Sequence, residues 1–378
     1  MKLGIVCDYL EEGWFSMDIC AQMLIDRALE INDVDIQPLQ IRPPFQWRLK
    51  HLPKYIPKSF NGDRFINRFI DYPRYLKPRA SDCDLFHVAD HSYANLVHSL
   101  PGDRTGVFCH DLNAFESLIE PQLYPRSWVY RQMSARTLTG MQKAAVVFYT
   151  TTEIRQQIER YQLVDPAKLV AAPLGVSPEY HPHSVPADAT IVDLQARLQG
   201  KPFILHVGSC VPRKRIDVLL NIFAKLRIDL PELQLVKVSG EWSKAQQQQI
   251  TDLKLAESIV HLTNLDNTTI AQLYRQAKIV LVTSETEGFG MPVIEALACG
   301  AIVLASDIPV LREVGGDAII YCPMGEVEAW SAQSLDAIVH PDRAPAMAKR
   351  LARAACYSWD NHARTIVETY ARLGAGEF

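Results

Sequence analysis

The stretch 279–300 reads IVLVTSETEGFGMPVIEALACG, and it holds a complete strand–loop–helix unit. Ile279 to Thr283 is a short apolar run, the mark of a strand buried on both faces. The loop behind it carries Glu285, Glu287, Gly288 and Gly290. A helix is predicted from near Met291, with Pro292 in its first turn and Gly300 just past its end, where helix boundaries prefer those residues. Its other side chains (Val293, Ile294, Ala296, Leu297 and Ala298) are apolar all round, so the helix is expected to be buried. Glu295 is its one charge, and a buried carboxylate needs a partner or an open crevice. The free N–H groups and positive dipole end at the helix start suit a phosphate, and the glycines let a ligand come close to the backbone. The plainer alternative is a core helix behind an ordinary glycine turn.

Outward from this unit the same alternation continues. Strands are predicted at Phe203–Val207, Leu235–Val238, Ile259–Leu262 and Ala301–Ala305. Helices are predicted between them at Ile216–Leu226, Ala245–Leu255 and Ile270–Ala277. Strict βα alternation means a parallel sheet with helices on both faces. The first half follows the same logic. It opens on a strand at Lys2–Tyr9 and a helix at Met17–Ile31, with further strands at Leu85–Val88, Gly106–Cys109, Ala144–Tyr149 and Val170–Val176. Between the halves, 177–200 has three prolines in its first ten residues and no long apolar run, so it reads as a linker. With 378 residues the chain exceeds the roughly 250–300 that one core supports. The expected organisation is a first domain over 1–176, the linker over 177–200, a second domain over 201–357 and a last helix over 358–378.

Two other loops carry candidate chemistry. VGSCVPRKRIDVLL, 207–220, places Arg213, Lys214 and Arg215 between a buried strand and a helix. Adjacent cations repel one another, so a nearby anion is a natural explanation, and ligands of open α/β sheets bind beyond the carboxyl ends of strands. A solvated basic loop is the plain alternative. GVFCHDLNAF, 106–115, sets His110 and Asp111 at a strand end. The imidazole there could donate a hydrogen bond to a sugar hydroxyl, and Asp111 could orient the ring or cap the next helix.

Composition is ordinarily globular, with 48% hydrophobic and 22% charged residues and a net charge of −4. That balance singles out no partner, and nothing in it suggests nucleic-acid binding. Eight cysteines are scattered without a CxxC pair or a Cys/His cluster, which argues for reduced thiols, a cytoplasmic protein and no zinc site. The opening MKLGIVCDYLEEGW meets its acids too early for a signal peptide, and no apolar run reaches the about 18–20 residues of a membrane span. One segment stands apart. Residues 41–80 hold ten Lys/Arg against two Asp, with eight interleaved aromatics: Phe45, Trp47, Tyr55, Phe60, Phe65, Phe69, Tyr72 and Tyr75. Such a stretch suits an anionic surface or acceptor, including peripheral contact at the inner face of a membrane. The alternative is an irregular, solvated excursion whose aromatics pack on the domain.

Taken together these motifs resemble the retaining GT-B glycosyltransferases of family 4 (glycosyl transferases group 1). The most specific element is the pair Glu287 and Glu295 within S-x-x-E-G-F-G-M-P-x-x-E-A-L-A-C-G, after VGSxxPRKR and before SDIPVLREVGGDA at 306–318. The resemblance implies an α/β fold of two Rossmann-like doubly wound domains facing a central crevice, with the last helix crossing back to the first domain near Trp359. It implies transfer of a hexose from a UDP- or GDP-linked sugar to a glycan or lipid-linked acceptor in polysaccharide biosynthesis, with no metal ion and no other cofactor. Glu295 would hold the donor ribose, and Glu287 would sit by the donor sugar. Gly208, Gly288, Phe289, Gly290, Met291 and Pro292 would line the donor pocket, and Arg213 and Lys214 would clamp the diphosphate. His110 would contact the donor sugar from the first domain. Two features differ from many members: the first βα loop, LEEGWFS, has the single glycine Gly13, and Ser209 and Cys210 stand where another cation is common. The alternatives are a sugar-nucleotide epimerase or a non-catalytic sugar-nucleotide-binding protein on the same scaffold.

Overall fold

A computed structural model describes residues 1–31, 33–49 and 59–378. The chain divides into two units, Met1–Gly175 with Trp359–Phe378, and Val176–Ser358.

In the first unit the strands are β1 (Lys2–Val6), β2 (Gln37–Ile41), β3 (Leu85–Val88), β4 (Thr105–Cys109), β5 (Val146–Tyr149) and β6 (Leu169–Ala171). They form one parallel sheet in the order β2-β1-β3-β4-β5-β6. The inner strands are short and buried along their length, as strands covered on both faces must be. β2 carried no apolar signal in the sequence because QPLQI is an edge strand, where Pro38 and solvent-facing polar groups are tolerated. The chain leaves β1 for β2 on one side and returns to β3 on the other. The gap beyond the ends of β1 and β3 is therefore a topological switch point, where ligands of such sheets bind. The final helix, Trp359–Ala375, belongs to this unit. Tyr370 on it donates to the Phe86 carbonyl at 2.9 Å, and His362 approaches the Pro173 carbonyl at 3.0 Å.

In the second unit the strands are β7 (Phe203–Val207), β8 (Gln234–Val238), β9 (Ile259–Leu262), β10 (Val280–Val282), β11 (Val303–Ser306) and β12 (Ile320–Cys322). Their order is β12-β11-β10-β7-β8-β9, again all parallel. Here the switch point lies between β7 and β10. The core between sheet and helices is apolar, built on Leu219, Leu220, Phe223, Leu281, Leu304 and Trp330.

The stretch 177–200 is not a linker; it lies wholly within the second unit. Its prolines occupy only the leading loop. Asp188 then accepts from the Ile191 N–H at 2.9 Å and starts a helix over Ala189–Leu198. That helix buries Ile191, Leu194 and Leu198, and Asp188 also accepts from Thr269 at 2.5 Å.

In 41–80, Tyr55 lies outside the described residues, as does the side chain of Phe60. Phe45 and Tyr72 enter the core of the first unit, where Tyr72 donates to the carbonyls of Cys7 and Ile41 at 2.7 and 2.8 Å. Several of the described cations find partners within the unit: Arg42 with Asp18 at 2.5 Å, Arg48 with Asp71 at 2.7 Å, and Arg64 with Glu12 at 2.7 Å, while Arg74 and Lys77 are exposed. Arg68 reaches Glu12 at 3.4 Å and lies 4.0 Å over the Tyr93 ring. The eight cysteines are free thiols. Among the described residues no helix is long and apolar enough to cross a membrane.

Candidate active site

At the switch point of the second unit, two loops meet. The loop after β7 turns through Pro212–Lys214 into the helix Ile216–Asp229. The loop after β10 runs from Thr283 into the helix Met291–Ala298. They are stitched by backbone and side chain: the Glu285 N–H donates to the Arg213 carbonyl at 2.7 Å, and the Thr283 hydroxyl to the Lys214 carbonyl at 2.9 Å. This stitching fixes the motif cations against the motif glutamate. Lys214 Nζ lies 2.5 Å from Glu287 Oε1, and Arg213 Nη1 lies 3.0 Å from Glu287 Oε2. Ser284 adds a hydroxyl to Oε1 at 2.6 Å. Burial opposes a charge on Glu287, yet Lys214, Arg213 and Ser284 outweigh it and hold the carboxyl below its usual range. The anion that the basic loop called for is thus in part the chain's own. Arg215, with φ at 48°, pairs with Asp217 at 3.0 Å and lies 3.9 Å from Glu285.

Gly290 starts the buried helix with φ at 95°, and a Cβ there would come within 2.7 Å of Leu311 Cδ2, so glycine is required twice over. Met291 and Pro292 form the first helical turn, their position favouring an anion at the helix start. Phe289 is buried edge-on against Tyr357, with centroids 5.4 Å apart, which fixes the loop from Gly288 onward. Glu295 has its partner: the Tyr274 hydroxyl donates to Oε2 at 3.1 Å. Burial pushes this carboxyl up to about 7, with Tyr274 and Lys214 pulling it only partly back.

Gly208 borders Lys214. A Cβ built on it would stand 3.7 Å from Lys214 Cε and 3.9 Å from Nζ. Behind it lies a residue the sequence reading passed over. Lys237, in the middle of apolar β8, is fully buried and donates to the Val238 carbonyl at 3.0 Å and to the carbonyls of Gly208 and Ser239. Burial lowers its ammonium to about 8. A lysine inside LQLVKV was the available signal, since a charge in a buried strand needs a task. His206 donates from Nδ1 to the Leu281 carbonyl at 2.9 Å and leaves Nε2 unpartnered near Gly208.

The first unit gathers a second cluster beyond β1, β3 and β4. His110 is buried, and its Nε2–H is spent on the Ala89 carbonyl at 2.9 Å. The ring therefore offers a lone pair at Nδ1, which has no partner, instead of the donor expected from the sequence. Burial lowers its pKa and keeps it neutral. Asp111 does not orient this ring. It accepts from the Asn113 N–H at 3.0 Å, capping the turn that follows, and faces His91 Nε2 at 3.4 Å. His91 also lies 3.1 Å from Asp90. Burial opposes its charge, but the two carboxylates outweigh it and push the imidazole up to about 10. Asp8, two residues beyond β1, is buried, and neither of its oxygens has a hydrogen-bond partner. Burial and then the charge of Asp90 push its carboxyl well above the usual range. Asp8, Asp90 and His91 were not foreseen, because they come from two separated strand ends and no local motif links them.

Gly13 closes the single turn Leu10–Glu12 with φ at 69°, and its N–H donates to the Leu10 carbonyl at 3.0 Å. That N–H is spent on the turn.

Residues 192–355 match the family model described as glycosyl transferases group 1. The chain is 28% identical over 310 residues to O-antigen chain mannosyltransferase B of Escherichia coli, a match covering 80% of each protein. It is 25% identical over 296 residues to the serotype-specific mannosyltransferase WbdA of Escherichia coli, covering 73% of this chain and 35% of that relative. Among solved structures, sucrose-phosphate synthase from Thermosynechococcus elongatus superposes with a TM-score of 0.74 at 16% identity, covering 100% of both chains. The fold is GT-B, and the protein is a glycosyltransferase. Its match to the model described as glycosyl transferases group 1 falls on the stretch whose motifs led one to expect it.

Proposed function

We propose that the enzyme transfers mannose, or a closely related hexose, from a nucleoside-diphosphate sugar to a glycan or lipid-linked acceptor, with retention at the anomeric carbon and without a metal ion. The observation that carries this reading is the convergence of Lys214 and Arg213 on buried Glu287 at the switch point of the second unit. The choice of mannose rests on the similarity to O-antigen and serotype-specific mannosyltransferases.

The diphosphate of the donor takes up position between Lys214, Arg213 and the start of the helix at Met291. Before it arrives, Glu287 holds both cations in place, so little reorganisation is needed when charge develops on the leaving group. Glu295 accepts the ribose hydroxyls; within the first unit, His110 Nδ1 is an acceptor suited to a sugar hydroxyl. The bond from the anomeric carbon to the phosphate oxygen breaks, and the diphosphate keeps the electron pair. The acceptor hydroxyl attacks from the same face and passes its proton to the departing phosphate oxygen. Same-face attack is favoured because both Glu287 oxygens are already engaged, by Lys214 and Ser284 on one side and Arg213 on the other, which makes that carboxylate a poor nucleophile.

Calorimetry with GDP, UDP and ADP in EDTA tests the donor site. One diphosphate should bind with clear preference, and no binding by the folded protein would overturn the clamp. Proton NMR of the glycoside then reads the anomeric configuration, and an inverted product would overturn retention.

A further inference from the structure

Ten residues in a row, 121–130, are exposed, and the run continues through Arg131 and Gln132. The run is apolar where exposed chain is normally polar. Leu123 is 71% and Trp128 74% exposed, and Tyr124, Val129 and Tyr130 stand open beside them. It consists of the loop before the helix Trp128–Lys143 and that helix's first turn. Ser127 caps the turn by accepting from the Tyr130 N–H at 3.3 Å, so the tip is ordered and not a frayed end. The helix is packed against the unit only farther along, where Ser134, Thr137, Gly140 and Met141 are buried.

We propose that this tip inserts into the headgroup layer of an anionic membrane. Its chemistry selects that occupant. Tryptophan and tyrosine sit well at a membrane–water boundary, with apolar rings and polar edges, and Leu123 and Val129 supply aliphatic depth. The charge is one-sided: residues 121–143 contain Arg126, Arg131, Arg136 and Lys143 and no Asp or Glu, in a chain whose net charge is −4. Arg126 lies 5.5 Å from the Tyr130 ring centroid, which keeps a cation at the level of the aromatics. The segment 41–80 offers less to a membrane, since Arg42, Arg48, Arg64 and Arg68 are paired within the unit and Phe45 and Tyr72 are in the core. The inference rests on this surface and not on the transfer reaction proposed above, so either can fail without the other.

The test is flotation of the intact protein with vesicles of phosphatidylcholine alone or with about a third phosphatidylglycerol, at low and high salt. Binding is expected only with the anionic lipid and should weaken with salt. Trp128→Ser with Leu123→Ser should abolish it. Arg126→Ser with Arg131→Ser should weaken it by roughly tenfold or more. All four positions are exposed, and an unchanged melting temperature verifies the fold. No binding to anionic vesicles, or binding that survives both double variants, would overturn the proposal. So would a dimer, seen by sedimentation, that the Trp128→Ser and Leu123→Ser variant dissolves while vesicles stay unbound, because the tip would then serve a second copy.

Discussion

The two switch points of this molecule are built alike and finished differently. In the second unit, the charged groups beyond β7 and β10 satisfy one another: Lys214 and Arg213 meet Glu287, and Tyr274 meets Glu295. In the first unit, beyond β1, β3 and β4, His91 meets Asp90 and Asp111, but Asp8 has no partner for either oxygen, and Nδ1 of His110 has none. A group with its partner in place keeps a fixed position before any ligand arrives. A buried group without one costs stability until water or a ligand supplies the bond. The second cluster is thus held by its own ion pairs, whereas the first keeps buried polar atoms without a partner.

The largest expected effect is on the satisfied side. Lys214→Ala should lower kcat by about 10²–10³, the usual cost of losing an electrostatic stabiliser of a leaving group. Steady-state turnover with the bound donor identified by calorimetry measures it, and near-normal turnover would sever the comparison at its stronger end. A smaller effect concerns Glu295, whose carboxyl titrates at about 7. Only the ionised form accepts two ribose hydroxyls. Nucleotide affinity should therefore rise by about tenfold between pH 6 and pH 8, as the ionised fraction grows. Glu295→Gln should bind weakly with no such slope, and a parallel slope in that variant would locate the titration elsewhere.

The smallest effect lies in the unsatisfied cluster. Asp8 is held above its unfolded value, so its native form keeps a proton that the unfolded chain releases. The fold therefore loses stability as pH rises from the unfolded pKa toward the folded one. Asp8→Asn removes that loss. Thermal melting should show the variant about 2–4 °C more stable at pH 8, with the gap closing toward pH 4. A variant less stable at both values would mean that Asp8 carries a structural bond and that the first cluster is not short of partners.

Legibility followed locality. The second site was readable because its parts lie in two short runs, 207–215 and 283–295, each fused to a strand whose apolar sequence announces it. The helix at 291–298 declared its own burial, and Glu295 stood out within it. The first cluster was readable only at His110 and Asp111. Asp8 and Asp90 are far apart in the chain and become neighbours only because β1 and β3 pair, with Val6 opposite Val88. Proline content misread 177–200, where the cap at Asp188 and the apolar face of Ile191, Leu194 and Leu198 were the better signals. Charge count could not show that in 41–80 Asp18, Glu12 and Asp71 stand opposite Arg42, Arg48, Arg64 and Arg68.

By itself the sequence determined the two βα-alternating halves, the parallel sheets, the glutamate pair and the cations that accompany it, because hydrophobic period and short motifs are local properties of a chain. Only the tertiary structure decided which charges are spent on each other, which N–H of His110 is already taken, and which aromatics are in the core or left standing in solvent at Trp128. Those depend on what lies opposite a side chain in space, and strand order, not chain order, brings that neighbour there.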